Sequence, residues 1–174
     1  IVGIGTNVLS IEGVSELSPS NVSIIPDRIE AGTFLIAGAA LGKVKLLRCE
    51  PKHLNSILNN LKQVGAKIRI SDNEITVCKA KKILPVSVTT SVFPGYPTDL
   101  QAQWMALMMI AEGNSIITDT VYLDRYSHIP ELNRLGANIQ LSDNKAYVTG
   151  KRKLVGAQVM STDIRASASL VIGG

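Results

Sequence analysis

Leu61–Val77 reads LKQVGAKIRISDNEITV, and 71 residues later Leu132–Val148 reads LNRLGANIQLSDNKAYV. Leu61, Gly65, Ala66, Ile68, Ile70, Ile75 and Val77 return as Leu132, Gly136, Ala137, Ile139, Leu141, Ala146 and Val148, around the unbroken cores Ser71-Asp72-Asn73 and Ser142-Asp143-Asn144. A period of this size marks one supersecondary unit used more than once. Leu54, Ile57, Leu58, Leu61 and Val64 recur at three- and four-residue spacing, with Asn55, Asn59, Asn60 and Lys62 between them. That spacing predicts an amphipathic helix. Gly65 then supplies the left-handed residue that ends it. Ile68 and Ile70 alternate with polar residues, the chain turns over Ser71–Glu74, and Ile75 and Val77 return: a half-buried hairpin. The second copy repeats this with Ile129, Leu132, Leu135 and Gly136. Val2, Ile4, Asn7, Leu9 and Ile11 stand 66 residues before Ile68, Ile70, Asn73, Ile75 and Val77, so Ile1–Ile11 reads as the closing hairpin of an earlier unit.

A second feature also repeats. Ile29–Leu41 (IEAGTFLIAGAAL) and Leu100–Ala111 (LQAQWMALMMIA) are apolar almost all round, and Ala166–Ile172 begins the same way. Such helices need protein on every side. Their starts align: Thr98-Asp99-Leu100-Gln101-Ala102 with Thr162-Asp163-Ile164-Arg165-Ala166, and more loosely with Pro26–Ala31; Gly42 and Gly113 close the first two. Each unit therefore reads strand, buried helix, strand, amphipathic helix, hairpin. The fold class is α/β, with repeated βαβαββ units whose sheets enclose central helices. The expected division is a closing hairpin and linker over 1–21, then one lobe over 22–174 with units at 22–79 and 86–150 and the start of a third at 157–174. Three units would enclose the helices and two would leave one side wet, so the chain is expected to be a piece of something longer or to associate.

Composition narrows the function. The chain has 174 residues, 45% of them hydrophobic and 18% charged, which excludes wholesale disorder. No apolar run approaches the roughly 18 residues of a membrane span, and no secretory signal opens the chain. Cys49 and Cys78 are too few for a disulfide framework and fit a reducing, cytoplasmic setting. A net charge of +4 favours anionic ligands, while 4 Tyr, 2 Phe and 1 Trp leave little surface for stacking bases. His53 and His128 lack partners at metal-ligand spacing. Gly3 and Gly5 are followed by no helix, so they form no dinucleotide fingerprint. No metal or organic cofactor is implied.

With repeats and helix starts in hand, four stretches resemble the enolpyruvyl transferases: Pro26–Phe34, Phe93–Gln103, Asp124–Leu132 and Gly156–Ala168. Within that family they are most similar to members acting on UDP-N-acetylglucosamine. The resemblance implies a two-lobed enzyme of which this chain is most of the second lobe, an inside-out α/β prism. It implies transfer of the enolpyruvyl group of phosphoenolpyruvate to the sugar 3-hydroxyl with loss of phosphate, the first committed step of peptidoglycan synthesis. The first lobe, with its reactive cysteine, is an implied partner, and this stretch alone is expected to be inactive. Neither nucleic acid nor membrane is expected as a partner.

The resemblance also singles out residues. Asp99 stands at the start of a buried helix, where a carboxylate could simply complement the helix dipole; by resemblance it meets the sugar 3-hydroxyl and accepts its proton. Arg165 is a cation in a helix's first turn, disfavoured there by the dipole, with Asp163 already fitting as cap. Its planar fork suits carboxylate or phosphate, and the resemblance assigns it to the phosphoenolpyruvate side; the plainer reading is an exposed pair with Asp163. Arg125, otherwise a solvated loop charge, neutralises substrate anions by resemblance. Val121 matches a backbone contact to the sugar nucleotide, and Asp163 either orients Arg165 or only caps. Two rivals remain. One is a 5-enolpyruvylshikimate-3-phosphate synthase-like transferase. The other is a non-catalytic phosphate- or RNA-binding domain using Lys79, Lys81, Lys82, Lys151, Arg152 and Lys153. Convergence of Asp99, Arg125 and Arg165 would favour the transferase.

Overall fold

The computed structural model describes every residue except Asn7, Arg152 and Thr162. Those three, in the opening hairpin, the second basic run and a helix-start motif, lie outside the described residues.

The first unit runs α1 (Arg28–Leu41), β1 (Lys43–Leu47), α2 (Asn55–Val64), β2 (Lys67–Ser71) and β3 (Glu74–Cys78). The second runs β4 (Val88–Thr89), α3 (Gln101–Met108), β5 (Asn114–Thr118), α4 (Ile129–Arg134), β6 (Asn138–Ser142) and β7 (Lys145–Thr149); α5 (Ile164–Gly173) follows. The strands form two sheets of order β1-β3-β2 and β4-β5-β7-β6. All pairs are antiparallel except β4 with β5.

The two hairpins share one register, Ile68 opposite Val77 and Ile139 opposite Val148. Each turns on two residues, Asp72-Asn73 or Asp143-Asn144, with the aspartate at φ +28° or +53°. Aspartate and asparagine tolerate that left-handed geometry better than other side chains. Gly65 and Gly136, at φ +96° and +86°, end the helices as their spacing predicted. Leu54, Ile57, Leu58, Leu61 and Val64 are all buried.

The core centres on α3, every residue of which is buried, Trp104, Met105, Leu107 and Met108 completely. The Trp104 indole N–H donates to the Val86 carbonyl (3.0 Å), so the largest core side chain leaves no polar group unpaired. α1 and α5 pack along α3. The first sheet comes close enough to α1 that a Cβ at Gly38 would stand 2.6 Å from a Val77 methyl carbon and 2.9 Å from Val44 Cβ. Only glycine fits there.

As expected of two units, one side of the helices is open: Phe34 on α1 and Val171 on α5 are 50% and 79% exposed, and no described element covers that side. Three expectations need correction. α3 is shorter than Leu100–Ala111. Thr98–Leu100 form a 3-10 turn before it, and past Met108 neighbouring segments take the backbone groups: Lys151 N–H bonds the Met109 carbonyl and Glu112 N–H the Ile83 carbonyl. The opening strand of the first unit does not form; Val22, Ile24 and Ile25 are exposed and unpaired among the described residues. Among the described residues, the hairpin read at Ile1–Ile11 shows one bridge, Val2 with Ser10, one residue off the register of the other copies. With Ile1, Val2, Ile4, Leu9 and Ile11 all exposed, no buried face fixes its pairing.

Candidate active site

The amino ends of α1, α3 and α5 meet around one cavity of about 360 Å³, lined in part by Asp27, Thr33, Asp99, Gln103 and Arg165. Each helix start is built locally. Asp27 caps α1, accepting from the N–H groups of Ile29 and Glu30. Asp163 caps α5, accepting from Arg165 and Ala166. Asp163 is therefore a cap, and makes no side-chain bond to Arg165 among the described residues. α3 has no such cap: Asp99 sits one turn earlier, in the 3-10 segment, with its carboxylate turned elsewhere.

That carboxylate draws both arginines. Arg125 Nη1 and Arg165 Nε each donate to Asp99 Oδ1 at 2.9 Å. The side chains of Asp99 and Arg125 are 26% and 19% exposed, that of Arg165 43%. Three residues drawn from the turn before α3, the β5–α4 loop and α5 thus converge on one oxygen. Oδ2 makes no hydrogen bond among the described residues, which leaves a carboxylate oxygen able to accept a proton from a hydroxyl beside two guanidiniums that suit an anion. Arg125 is further held by Thr98 Oγ1, which accepts from its Nη1 (3.2 Å), and by the Tyr122 ring, whose centroid lies 4.8 Å from the guanidinium carbon. Val121 is 45% exposed at the mouth of the same loop, and its N–H is already committed to Asp119.

Asp119 escaped the sequence reading. It is wholly buried, and its carboxylate accepts from Thr90 Oγ1 and Thr98 Oγ1 (2.6 Å each) and from the N–H groups of Val121 and Tyr122 (2.9 Å each). Burial alone would raise its pKa, yet the four donors outweigh it and hold the carboxyl below its ordinary value. The Asp119 N–H bonds the Tyr126 hydroxyl, which donates to the Asn144 carbonyl (2.7 Å) and so ties the loop to the hairpin turn. No motif or spacing marks this residue, because its partners come from three separate segments. His128 is 2% exposed, with Nε2 unpaired among the described residues; burial pushes its pKa down to about 4, slightly opposed by the charge of Asp163. Cys49 is buried, and burial raises its thiol pKa.

The basic hairpin ends lie at the other end of the helices. Lys79 N–H bonds the carbonyl of Gly42 past α1, Lys151 N–H that of Met109 past α3, and Lys82 pairs with Glu112 at 3.3 Å. The eight residues of α3 separate the backbone of Lys151 from that of Asp99 by roughly 12 Å along the helix. Among the described residues no group of three or more His, Cys, Asp and Glu could hold a metal, and no helix is long and apolar enough to cross a membrane.

A prism of repeated α/β units with an acid and two arginines at the helix ends defines a class, and comparison with known proteins places the chain in it. Residues 1–174 match the model of the family described as EPSP synthase (3-phosphoshikimate 1-carboxyvinyltransferase). The chain belongs to this enolpyruvyl transferase family. It is 49% identical to the UDP-N-acetylglucosamine 1-carboxyvinyltransferase of Desulforapulum autotrophicum and 50% identical to that of Orientia tsutsugamushi, in each case across the whole chain and 42% of the relative. The chain spans about two-fifths of the length of these curated relatives. Among solved structures, the enolpyruvyl transferase NikO of Streptomyces tendae superposes with a TM-score of 0.77 at 26% identity, covering 87% of this chain and 37% of that one. EPSP synthase of Acinetobacter baumannii, at 15% identity and TM-score 0.65 over 88% of this chain and 37% of its own, shares the fold.

Proposed function

We propose that this chain forms, over 22–174, the greater part of one lobe of a UDP-N-acetylglucosamine 1-carboxyvinyltransferase, and that Asp99, Arg125 and Arg165 are its contribution to the active site. The observation that carries this reading is the convergence of both guanidiniums on Asp99 Oδ1. In the proposed reaction Asp99 accepts the proton of the sugar 3-hydroxyl as that oxygen bonds to the central carbon of phosphoenolpyruvate, whose methylene carbon takes up a proton. The tetrahedral adduct then loses a methyl proton and inorganic phosphate, which restores the double bond as the enol ether. Arg125 and Arg165 neutralise the carboxylate and phosphate oxygens on which charge gathers. Asp163 keeps α5 capped so that Arg165 stays in place. Val121 contacts the sugar nucleotide through its carbonyl, since its N–H is bonded to Asp119. The product would feed cell-wall synthesis, in the cytoplasm.

The 49–50% identity to enzymes named for UDP-N-acetylglucosamine supports this substrate over shikimate-3-phosphate, and the separation of the lysines from the acid supports it over a nucleic-acid surface. The test is phosphate release from phosphoenolpyruvate by the complete enzyme with each acceptor in turn. Turnover with UDP-N-acetylglucosamine is expected, with none from the 174-residue chain alone, because half a cleft neither orients two substrates nor excludes water. Turnover only with shikimate-3-phosphate would overturn the substrate assignment, and release by the isolated chain would overturn the two-lobed reading.

A further inference from the structure

Asp119 presents a problem that loop architecture alone does not resolve. A fully buried carboxylate is costly unless its lone pairs are met. Here one oxygen takes Thr90 and two backbone N–H groups, while the other takes Thr98 alone. The direction of these bonds matters. A carboxylate only accepts, so Thr98 must spend its single hydroxyl proton on Asp119 Oδ2. What Thr98 then shows on its far side is a lone pair, and Arg125 Nη1 stands 3.2 Å from it. The other oxygen of Asp119 pins the N–H groups of Val121 and Tyr122, and Tyr122 carries the ring beneath the same guanidinium. Besides its Asp99 bond, both side-chain supports of Arg125 thus run back to one buried acid that touches neither arginine.

The structural counterpart in the first unit makes the contrast plain. There Cys49 follows β1 and donates its N–H to the Asn73 carbonyl at 3.0 Å, as Asp119 follows β5 and donates its own to the Asn144 carbonyl at 3.0 Å. Both are buried. A thiol satisfies the slot in a unit whose strand-to-helix connection bears no arginine of the cluster, so the slot itself does not demand a carboxylate.

Resting on the transferase reading, we propose that Asp119 is a positioning residue for the reaction, setting the polarity of the Thr98 hydroxyl and the course of the Val121–Tyr122 backbone so that Arg125 is held on Asp99. Asp119→Asn tests this with little change of shape. The new amide N–H₂ faces Thr98, forces its hydroxyl to accept, and turns its proton toward Arg125. In the complete enzyme, Asp119→Asn and Thr98→Ala are each expected to lower kcat by about 10²-fold, as misplacement of a distant catalytic group does. Thr98→Ser, which keeps the hydroxyl, retains the rate within about threefold, and the double substitution falls no further than the worse single one, because both break one link. In ¹⁵N-edited spectra, the guanidinium protons of Arg125, held and slow to exchange in the unsubstituted enzyme, are lost in both variants. If Asp119→Asn leaves kcat and these signals unchanged, or if the two losses multiply in the double variant, the proposal is wrong. An unsubstituted enzyme without turnover would strike the transferase reading instead, and the Arg125 signals would still decide the role of Asp119. Should Asp119→Asn fail to fold, Thr98→Ala must still show both losses by itself.

Discussion

The two units carry the same helices and hairpins and different chemistry. Their hairpins share a register, a two-residue turn and a left-handed aspartate. They part company in the connection from strand to amphipathic helix. In the first unit Arg48–Glu50 separate β1 from a 3-10 turn leading directly into α2; in the second, the ten residues 119–128 separate β5 from α4. The longer connection holds Asp119, Val121, Tyr122 and Arg125, while the shorter one holds a buried thiol. Core positions keep the repeat, and a connecting segment outside the helices and strands carries the divergence. The lesson is that the repeated helix starts set where a site can be and bring Asp99 to it, while the unrepeated connection adds Arg125 and its supports.

The contrast can be broken most directly at Asp99. Asp99→Ala in the complete enzyme is expected to cut turnover by about 10³-fold, near 4 kcal/mol of transition-state stabilisation. Near-normal phosphate release would mean that the second unit is scaffold like the first. Next comes the packing of the central helices. Trp104→Ala on α3 should cost about 4 kcal/mol of stability, whereas Phe34→Ala on the open side of α1 should cost under about 1 kcal/mol. Equal losses in urea denaturation would mean that both helices are equally enclosed.

A pH effect sharpens the comparison further. His128 occupies the place that Ile57 holds in the first unit, and each is 2% exposed. The unfolded histidine titrates near 6.5 and the folded one at about 4. Between those values the unfolded chain binds the proton and the folded chain does not, so stability falls as pH drops from 6.5 toward 4, by about 3 kcal/mol. His128→Ile, which copies the first unit, should flatten that slope; an unchanged slope would assign it to other groups. A small effect is also expected at Cys49. Cys49→Ser keeps a small donor toward the Asn73 carbonyl and should cost about 1 kcal/mol, with the rate unchanged.

Much of this was legible in the chain. The period of 71 residues predicted the helices, their glycine ends and both hairpins, because those features rest on local spacing that a repeat reinforces. Two helix starts and one loop pointed to Asp99, Arg165 and Arg125 only once combined with a family resemblance; alone, each had a plainer reading as a dipole partner, an exposed pair or a solvated charge. Asp119 was not legible at all. Its role depends on hydroxyls at Thr90 and Thr98, 29 and 21 residues away, which no periodicity relates to it. Nor could spacing show that Val22–Ile25 would form no strand, since alternation proposes a strand and only a neighbour secures it.

The bond from Asp99 to Arg125 closes a loop of 26 residues, and that to Arg165 closes one of 66. Shorter closures cost less chain entropy and generally form sooner. A form in which α5 has swung free would keep the first contact and forfeit the second. Such a species would hold one guanidinium instead of two, so the second arginine serves as a built-in marker that the last helix has docked.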